Sequence, residues 1–528
     1  MGCKYTGKTE AIEGLFSMGI RYFQGMIPTC SLRKIASALV VSLFAFLPLL
    51  QCTAQTILEV GPGKPYPTLP LAAQAAMPGD TILLSAGVYP GGMFIPALQG
   101  TANAWITIRG NGLSPVTIQG GTNAIQFTDP AYLVLENLRI REQTGNGLNI
   151  DDGGSYETPA HHVILRNCVF EDMAVDGNND LLKLSGLDSF LIEECIFQRG
   201  ADGGSGIDMV GCHWGTMEGL VFEDMGSNSI QAKGGSRYLT IRRSLFMDGG
   251  LRSLNLGGST GAAFFRPFGA NYEAADIDVY ANIFIGSQAP IAYVGSQGVR
   301  VWNNTIYRPG KWVIRILQES ADTSFYQAAA YGEFVNNLVI VDNSLSTATN
   351  VGPNTNAASF LFAHNLWFHL DQPNWSGPYL PSMEINGKIQ MDPMLLDPVI
   401  GDMHLTENSP AIHAGTVQPE DDWNDFDSVS FHAPASIGAF EWTGTTAIPD
   451  VIITPERSGF GPNPAHDILH RIGMTAGNAW LLNARGDVMM RLLPTEHTWT
   501  VKHLPAGLYW IIEPRADGRW TTQKLVIQ

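Results

Sequence analysis

Positive charge is scarce in this chain: 31 Lys and Arg stand against 49 Asp and Glu, a formal net charge of −18. So acidic a chain is not a general nucleic-acid binder, because phosphate repels it, and a polyanionic ligand would need a local basic groove. Cysteine is scarce too. Of six cysteines, Cys3, Cys30 and Cys52 fall in the first 54 residues, leaving Cys168, Cys195 and Cys212. No cysteine or histidine stands at the spacing of a metal site. Helix signals are few, while short apolar runs that end in Gly or Asn are many, which favours an all-β chain. Only one long apolar run is present, from Ile35 to Leu50.

That run has Arg33 and Lys34 before it and the small residues of QCTA after it, the pattern of a secretory signal peptide cut after Ala54. A membrane anchor fits less well, because the run is short and holds Pro48. Cys52 suggests lipoprotein processing, but Gln51 before it suits that poorly, and Met18 and Met26 are alternative starts. Residues 1–54 carry five basic and two acidic side chains, a surplus of three positive charges, so without them the balance falls to about −21. The remaining chain is expected to hold no transmembrane segment.

A short phrase recurs across the middle at roughly 22- to 38-residue intervals. It reads RNCVF at Arg166–Phe170, EECIF at Glu193–Phe197, EGLVF at Glu218–Phe222 and RRSLF at Arg242–Phe246. Further copies are YANIF at Tyr280–Phe284, WNNTI at Trp302–Ile306, VNNLV at Val335–Val339 and AHNLW at Ala363–Trp367, with a looser ENLRI at Glu136–Ile140. A strand repeated at this interval, with Gly and Asn between copies, is one coil of a solenoid. Phe170, Phe197, Phe222, Phe246 and Phe284 are expected to stack inward, and Asn282, Asn304, Asn337 and Asn365 to bond turn backbone from coil to coil. Cys168 and Cys195 share the inward parity. Adjacent coils would allow a disulfide, but small apolar fillers are the better reading.

The segment from Glu59 to Tyr89 holds VGPGKPYPTL and PLAAQAAMPGDTILLSAGVY, with a helical stretch at Leu71–Met77, a turn at Pro78-Gly79-Asp80 and a strand at Thr81–Ser85. It resembles the N-terminal cap of right-handed parallel β-helices of the pectin-lyase-like superfamily, which covers the exposed first coil. Met391 to Glu441 resembles the closing segment of secreted β-helix proteins of that superfamily: Asp392-Pro393, Asp402-Met403-His404-Leu405, Ser409-Pro410-Ala411-Ile412, Ala414-Gly415 and Ile437-Gly438-Ala439-Phe440-Glu441 match, and His413 stands where the usual phrase has Asp. The last stretch holds Pro462-Asn463-Pro464-Ala465, Asp467, Leu469, Gly486, Leu504-Pro505-Ala506-Gly507-Leu508-Tyr509 and Lys524-Leu525-Val526-Ile527. It resembles the type IX secretion C-terminal sorting domain, although Gly461 separates Phe460 from Pro462. That resemblance implies an immunoglobulin-like sandwich, the type IX machinery as partner, and a place in the medium or on the outer-membrane surface of a Gram-negative bacterium. An ordinary carbohydrate-binding sandwich is the alternative. The expected organisation is a leader over 1–54, a capped right-handed parallel β-helix over 55–442, a linker over 443–454 and the small sandwich over 455–528.

Chemistry is expected on the strand that follows each repeat phrase. Its copies align as Leu148-Asn149-Ile150, Leu182-Lys183-Leu184, Ile207-Asp208-Met209, Ile230-Gln231-Ala232, Leu254-Asn255-Leu256, Ile291-Ala292-Tyr293 and Ile314-Arg315-Ile316. Alternation points the middle residue outward, so Asn149, Lys183, Asp208, Gln231 and Asn255 form a strip of substrate-binding candidates that continues, past Ala292, to Arg315. Asp151, Ser185 and Lys233 face the same way. The competing reading is a polar solvent face.

The longest insertion, Gly261–Ile277, offers Phe264, Phe265 and Tyr272 for stacking on sugar, and Arg252 or Arg266 for a uronate carboxylate. A loop packed back on the coil is the other reading. A lyase of acidic polysaccharide needs a base and a cation that neutralises the carboxylate beside the proton it removes. Lys233, Arg266 and Arg315 are the catalytic candidates, with Lys183 and Lys311 behind them. A hydrolase needs two carboxylates, and Asp208 has no equal partner on the strip. The Asn-Thr-Asp, Gly-His-Gly and Arg-Ile-Lys phrases of polygalacturonases are absent, as are those of pectin methylesterases. No specific motif decides whether a cofactor is needed. Calcium at Asp176–Asp180 is one reading of that acidic turn and a plain polar turn the better one. The chain is therefore expected to act on extracellular polysaccharide, or else to bind glycan at the cell surface without catalysis.

Overall fold

The computed structural model describes residues 55–444, except 113, 114, 156, 175, 321, 400 and 421, and the strands with a few joining residues between 459 and 527. The leader, most of the linker, Pro462–Ala465, Asp467 and Gly486 lie outside the described residues. The chain winds into a right-handed parallel β-helix whose three sheets hold 13, 12 and 10 strands. They are called sheets 1, 2 and 3 in the order in which each coil visits them. One coil runs through Leu187–Glu193, Ile196–Gln198 and Ser205–Val210.

The repeat phrase is thus a corner and not one strand. Around EECIF, Ile192 just before the phrase faces inward at the end of sheet 1, and Cys195 and Phe197 face inward on the other side of the bend. Glu194 between them takes a left-handed φ of 51°, as do Asn167 at 52°, Arg243 at 50° and Ala281 at 55° in neighbouring coils. One left-handed residue inserts an extra outward position and turns the chain. That is why a phrase that alternates on paper serves two sheets.

The expected Phe ladder is present: Phe170, Phe197, Phe222, Phe246 and Phe284 stack with centroids 4.8, 4.8, 5.0 and 4.6 Å apart. Asn282, Asn304, Asn337 and Asn365 form the second ladder. Asn304 Oδ1 accepts the backbone N–H and Nδ2 of Asn282, both at 3.0 Å, and Asn304 Nδ2 donates to Val279 O at 3.1 Å. The ladder ends on Glu384, whose Oε1 accepts Asn365 Nδ2 at 2.8 Å and whose carboxyl is pushed up by burial. Cys168, Cys195 and Cys212 are free and buried. The cap helix spans Leu69–Ala75 and so starts two residues before the expected stretch, because Pro70 is at home in a first helical turn.

The closing segment covers the outer face of sheet 2. Its Met403, Leu405, Ala411, Ile437, Ala439 and Phe440 pack on Leu245, Ile283, Tyr307, Leu338, Ile340 and Leu366. Outward asparagines at the corner bind its backbone: Asn303 Nδ2 donates to Ser436 O at 2.8 Å, and Asn336 Oδ1 accepts Thr416 N–H at 2.8 Å. The last stretch forms a three-stranded and a four-stranded antiparallel sheet that share one apolar cluster including Leu469, Leu481, Trp499, Tyr509 and Leu525.

His404 clips this closing segment together, with Nδ1 2.6 Å from Asp402 Oδ1 and Nε2 2.8 Å from Asp427 Oδ2. Burial alone would lower its pKa, but the two carboxylates outweigh burial and raise it to about 10. A folded pKa above the unfolded value near 6.5 gives stability that is complete below about 6.5 and is lost as pH climbs through about 10. The unfolding temperature of wild type should therefore exceed that of His404→Asn at pH 6 and converge with it above pH ~10. A gap between the two that does not change with pH would refute this account.

Candidate functional site on sheet 3

Sheet 3 aligns the outward row in the expected register. Asn149 pairs with Lys183, Lys183 with Asp208, Asp208 with Gln231, Gln231 with Asn255, Asn255 with Ala292 and Ala292 with Arg315. The row extends beyond the aligned triplets, to Gln126 before Asn149 and to Asn350 after Arg315. Both lie on short strands whose repeat phrases are weak or remote, so sequence spacing misses them.

The side chains of the row bond to one another. Asn149 Nδ2 donates to Gln126 Oε1 at 2.8 Å, and Gln126 Nε2 donates to Asp151. At the centre, Asp208 is 1% exposed and lies beneath two lysines. Lys183 Nζ donates to its Oδ2, while Lys233 Nζ stands 3.2 Å from its Oδ1 and donates to Gln231 Oε1 at 3.0 Å. Val210 pairs with Lys233 one coil on, which places the two ammonium groups on either side of one carboxylate. A second carboxylate is folded in below: Asp180 Oδ2 is 3.5 Å from Lys183 Nζ, and its Oδ1 accepts Ser205 N–H at 2.9 Å. Burial, and then the Asp208 charge, push Asp180 up to about 6. Burial pulls Lys183 toward its neutral form, but Asp208 and Asp180 outweigh it and hold the ammonium above the usual lysine value.

Asp180 is the residue that sequence reasoning undervalued. It ends the turn read as a polar stretch or a calcium site, and it sits on the same side of the coil as the strip. Its partners are Ser205 and Lys183, and the amide of its neighbour Asn179 donates to Asp176 O at 2.8 Å. Both side chains are committed to the fold.

Further along, the strip is not an open face. Asn255 is buried and accepts Arg252 at 2.8 Å, and Ala292 and Val294 are buried beside Leu317. Two excursions of the chain meet here. Buried Glu273 accepts Thr260 N–H at 2.8 Å, Gly234 N–H at 3.0 Å and Ser320 Oγ at 2.9 Å, joining the long insertion to the loop after Leu317. Arg315 emerges past this cover, with Nε 3.0 Å from Asn350 Oδ1 and its guanidinium 4.5 Å from the Trp312 ring centroid. Burial, and then Arg252, lower its pKa. Lys311 lies over the same ring at 4.3 Å.

Arg266 is elsewhere. Its guanidinium forks onto Asp188 at 2.6 and 2.5 Å, donates to Gly211 O at 2.9 Å and lies 2.9 Å from His213 Nδ1. Asp188 and His213 belong to sheet 1, so Arg266 pins the insertion to the coil and does not enter the strip. Its backbone is close to Lys233, through a 2.9 Å bond from Arg266 N–H to Gly234 O, but its charge is turned away. Lys233, Arg266 and Arg315 therefore occupy three separate surroundings. The insertion's aromatics divide as well: Phe264 is 66% exposed, and Phe265 at 1% packs inward near Tyr326.

Residues 123–366 match the model of the right-handed β-helix region family. No curated protein matches the chain. Among solved structures, the chain is similar to pectate lyase Pel9A at 16% identity, over 74% of this chain and 97% of that one, with a TM-score of 0.47. An alginate lyase from Paenibacillus sp. str. FPU-7 is 17% identical over 57% of this chain and 97% of its own, with a TM-score of 0.39. A GH136 lacto-N-biosidase from Eubacterium ramulus is 12% identical over 63% of this chain and 68% of its own, at 0.44. At these identities the likeness concerns the fold alone.

Proposed function

We propose that this chain acts on an extracellular, carboxylate-bearing polysaccharide laid along sheet 3, and that Lys183 and Lys233 are the groups that meet a uronate. The observation that carries the reading is the pair of ammonium groups on one buried carboxylate, flanked by the amides of Asn149 and Gln231. A buried Asp208 fixes both lysines in place before a ligand arrives, so little side-chain entropy is lost when a carboxylate binds. From Gln126 to Gln231, before the insertion covers the row, it spans four coil steps, roughly 19 Å at about 4.8 Å per step, which suits an extended chain and not a single sugar. The chemistry this bracket prepares is elimination. Lys183, held cationic, neutralises the uronate carboxylate as charge develops at the adjacent carbon; Lys233, once it has released its own ammonium proton to solvent, takes the carbon-bound proton as the amine, and the glycosidic oxygen leaves as the unsaturated chain end forms.

A second reading, glycan binding without cleavage, is favoured by one specific observation: Arg266 is committed to Asp188, and Arg315 stands several coils away, so the expected cations do not converge. Incubation with a panel of uronate polysaccharides separates the two. Ultraviolet absorbance from unsaturated chain ends supports elimination, and retained binding with no absorbance supports the second reading. Neither binding nor absorbance on any uronate glycan would remove both. Export by the type IX route, to the medium or the outer-membrane surface, is part of the same proposal and rests on the leader and the closing phrases of the sequence.

A further inference from the structure

Far from the strip, the closing segment brings together three side chains that are well separated in sequence. His413 Nε2 and His432 Nδ1 face each other at 2.9 Å. Glu441 Oε1 completes a triangle with them, 3.6 Å from His413 Nε2 and 3.4 Å from His432 Nδ1. Two imidazole nitrogens and one carboxylate oxygen are the donor types that divalent zinc takes most readily. The triangle has the size that zinc requires. Ligands about 2.0–2.1 Å from a tetrahedral ion lie about 3.3 Å from one another, and the three edges, 2.9, 3.4 and 3.6 Å, straddle that value.

The carboxylate is held in place from behind. Glu441 Oε2 accepts the N–H groups of His432 and Ser436, both at 3.0 Å, and Oε1 accepts the Ser436 hydroxyl and Trp442 N–H, the latter at 2.8 Å. Such outer bonds orient a metal ligand. The carboxylate side chain is fully buried, while the two imidazoles are 45% and 54% exposed, so the fourth position opens to solvent.

We propose that His413, His432 and Glu441 form a zinc site with one water position, and that the metal braces the closing segment against sheet 2. The three ligands lie on the turns beside Ala411, Ala435 and Phe440, whose side chains make up the apolar contact with that sheet or flank it. The bound ion thus ties the middle of the segment to its last residue.

The test uses the full chain, stripped by a chelator and titrated with Zn²⁺ alone by calorimetry. One ion per chain should bind, and the unfolding temperature should rise with it. His432→Ala removes a half-exposed ligand and leaves no hole in the core. It should weaken Zn²⁺ binding by at least about a hundredfold, the upper end of what losing an outer partner alone costs. His404→Asn, which alters the neighbouring Asp402–His404–Asp427 clip, should bind zinc as wild type does. Co²⁺ in place of Zn²⁺ should give the intense visible absorption of a four-coordinate ion. The proposal is overturned if Zn²⁺ does not saturate one site, if His432→Ala binds it unchanged, if His404→Asn is the variant that loses it, or if Co²⁺ shows only a weak six-coordinate spectrum.

Discussion

Lys183→Met is expected to lose uronate binding and a large part of the protein's stability together. Lys183 donates to Asp208, and Asp208 is buried with Lys233 as its other cation. Removing one partner of a buried pair leaves a charge that burial opposes, at a cost of about 3–5 kcal/mol. A charged hydrogen bond to the ligand is worth about 1.5–3 kcal/mol, so binding should weaken roughly ten- to hundredfold. The two losses can be told apart with Lys183→Met combined with Asp208→Leu. Removing Asp208 as well takes away the buried charge that Lys183 no longer meets, so the double variant should unfold at a higher midpoint than Lys183→Met alone and still bind no better than it. Glycan titration by calorimetry alongside denaturant unfolding measures both. Binding by the double variant at wild-type affinity would refute the role given to Lys183.

Phe222→Ala is the second large effect. Its ring lies between those of Phe197 and Phe246, at 4.8 and 5.0 Å, and is fully buried. Truncating a buried Phe costs about 3–5 kcal/mol, because the surroundings only partly close the hole. Here they have little room to close it, since the neighbouring rings are carried on strands fixed at the coil spacing. The two stacked contacts add to the loss, at about 0.5–1.5 kcal/mol each. Because each coil contacts only its neighbours, the unfolding transition should also broaden as the solenoid separates into two weakly coupled halves. Urea unfolding followed by circular dichroism tests this, and a midpoint within error of wild type would count against the ladder as a source of stability.

Much of this was legible in the sequence for a local reason. Strand parity repeats every two residues, so Phe170 to Phe284, Asn282 to Asn365 and the outward row from Asn149 to Arg315 could be aligned before any coordinate was known. The bend within the repeat phrase was not legible. Its left-handed residue is variously Asn, Glu, Arg, Ala, His or Gly, and no single residue type marks it. Nor was the burial of Asp208 and Asn255, because outward and exposed are different properties once lysines or an insertion lie above. Arg266 was misplaced for the same reason: its partner, Asp188, is on another sheet.

What the sequence by itself determined, then, was the solenoid and the direction each strand residue faces, because those follow from neighbours in the chain. The tertiary structure alone decided which charges meet. Lys183 and Lys233 share Asp208 because coils stack, Arg266 leaves the strip because the insertion folds toward sheet 1, and His413, His432 and Glu441 converge because the closing segment doubles back on sheet 2. Electrostatic and ligand contacts act over a few ångströms of space, and no spacing along the chain encodes which distant residues will come that close.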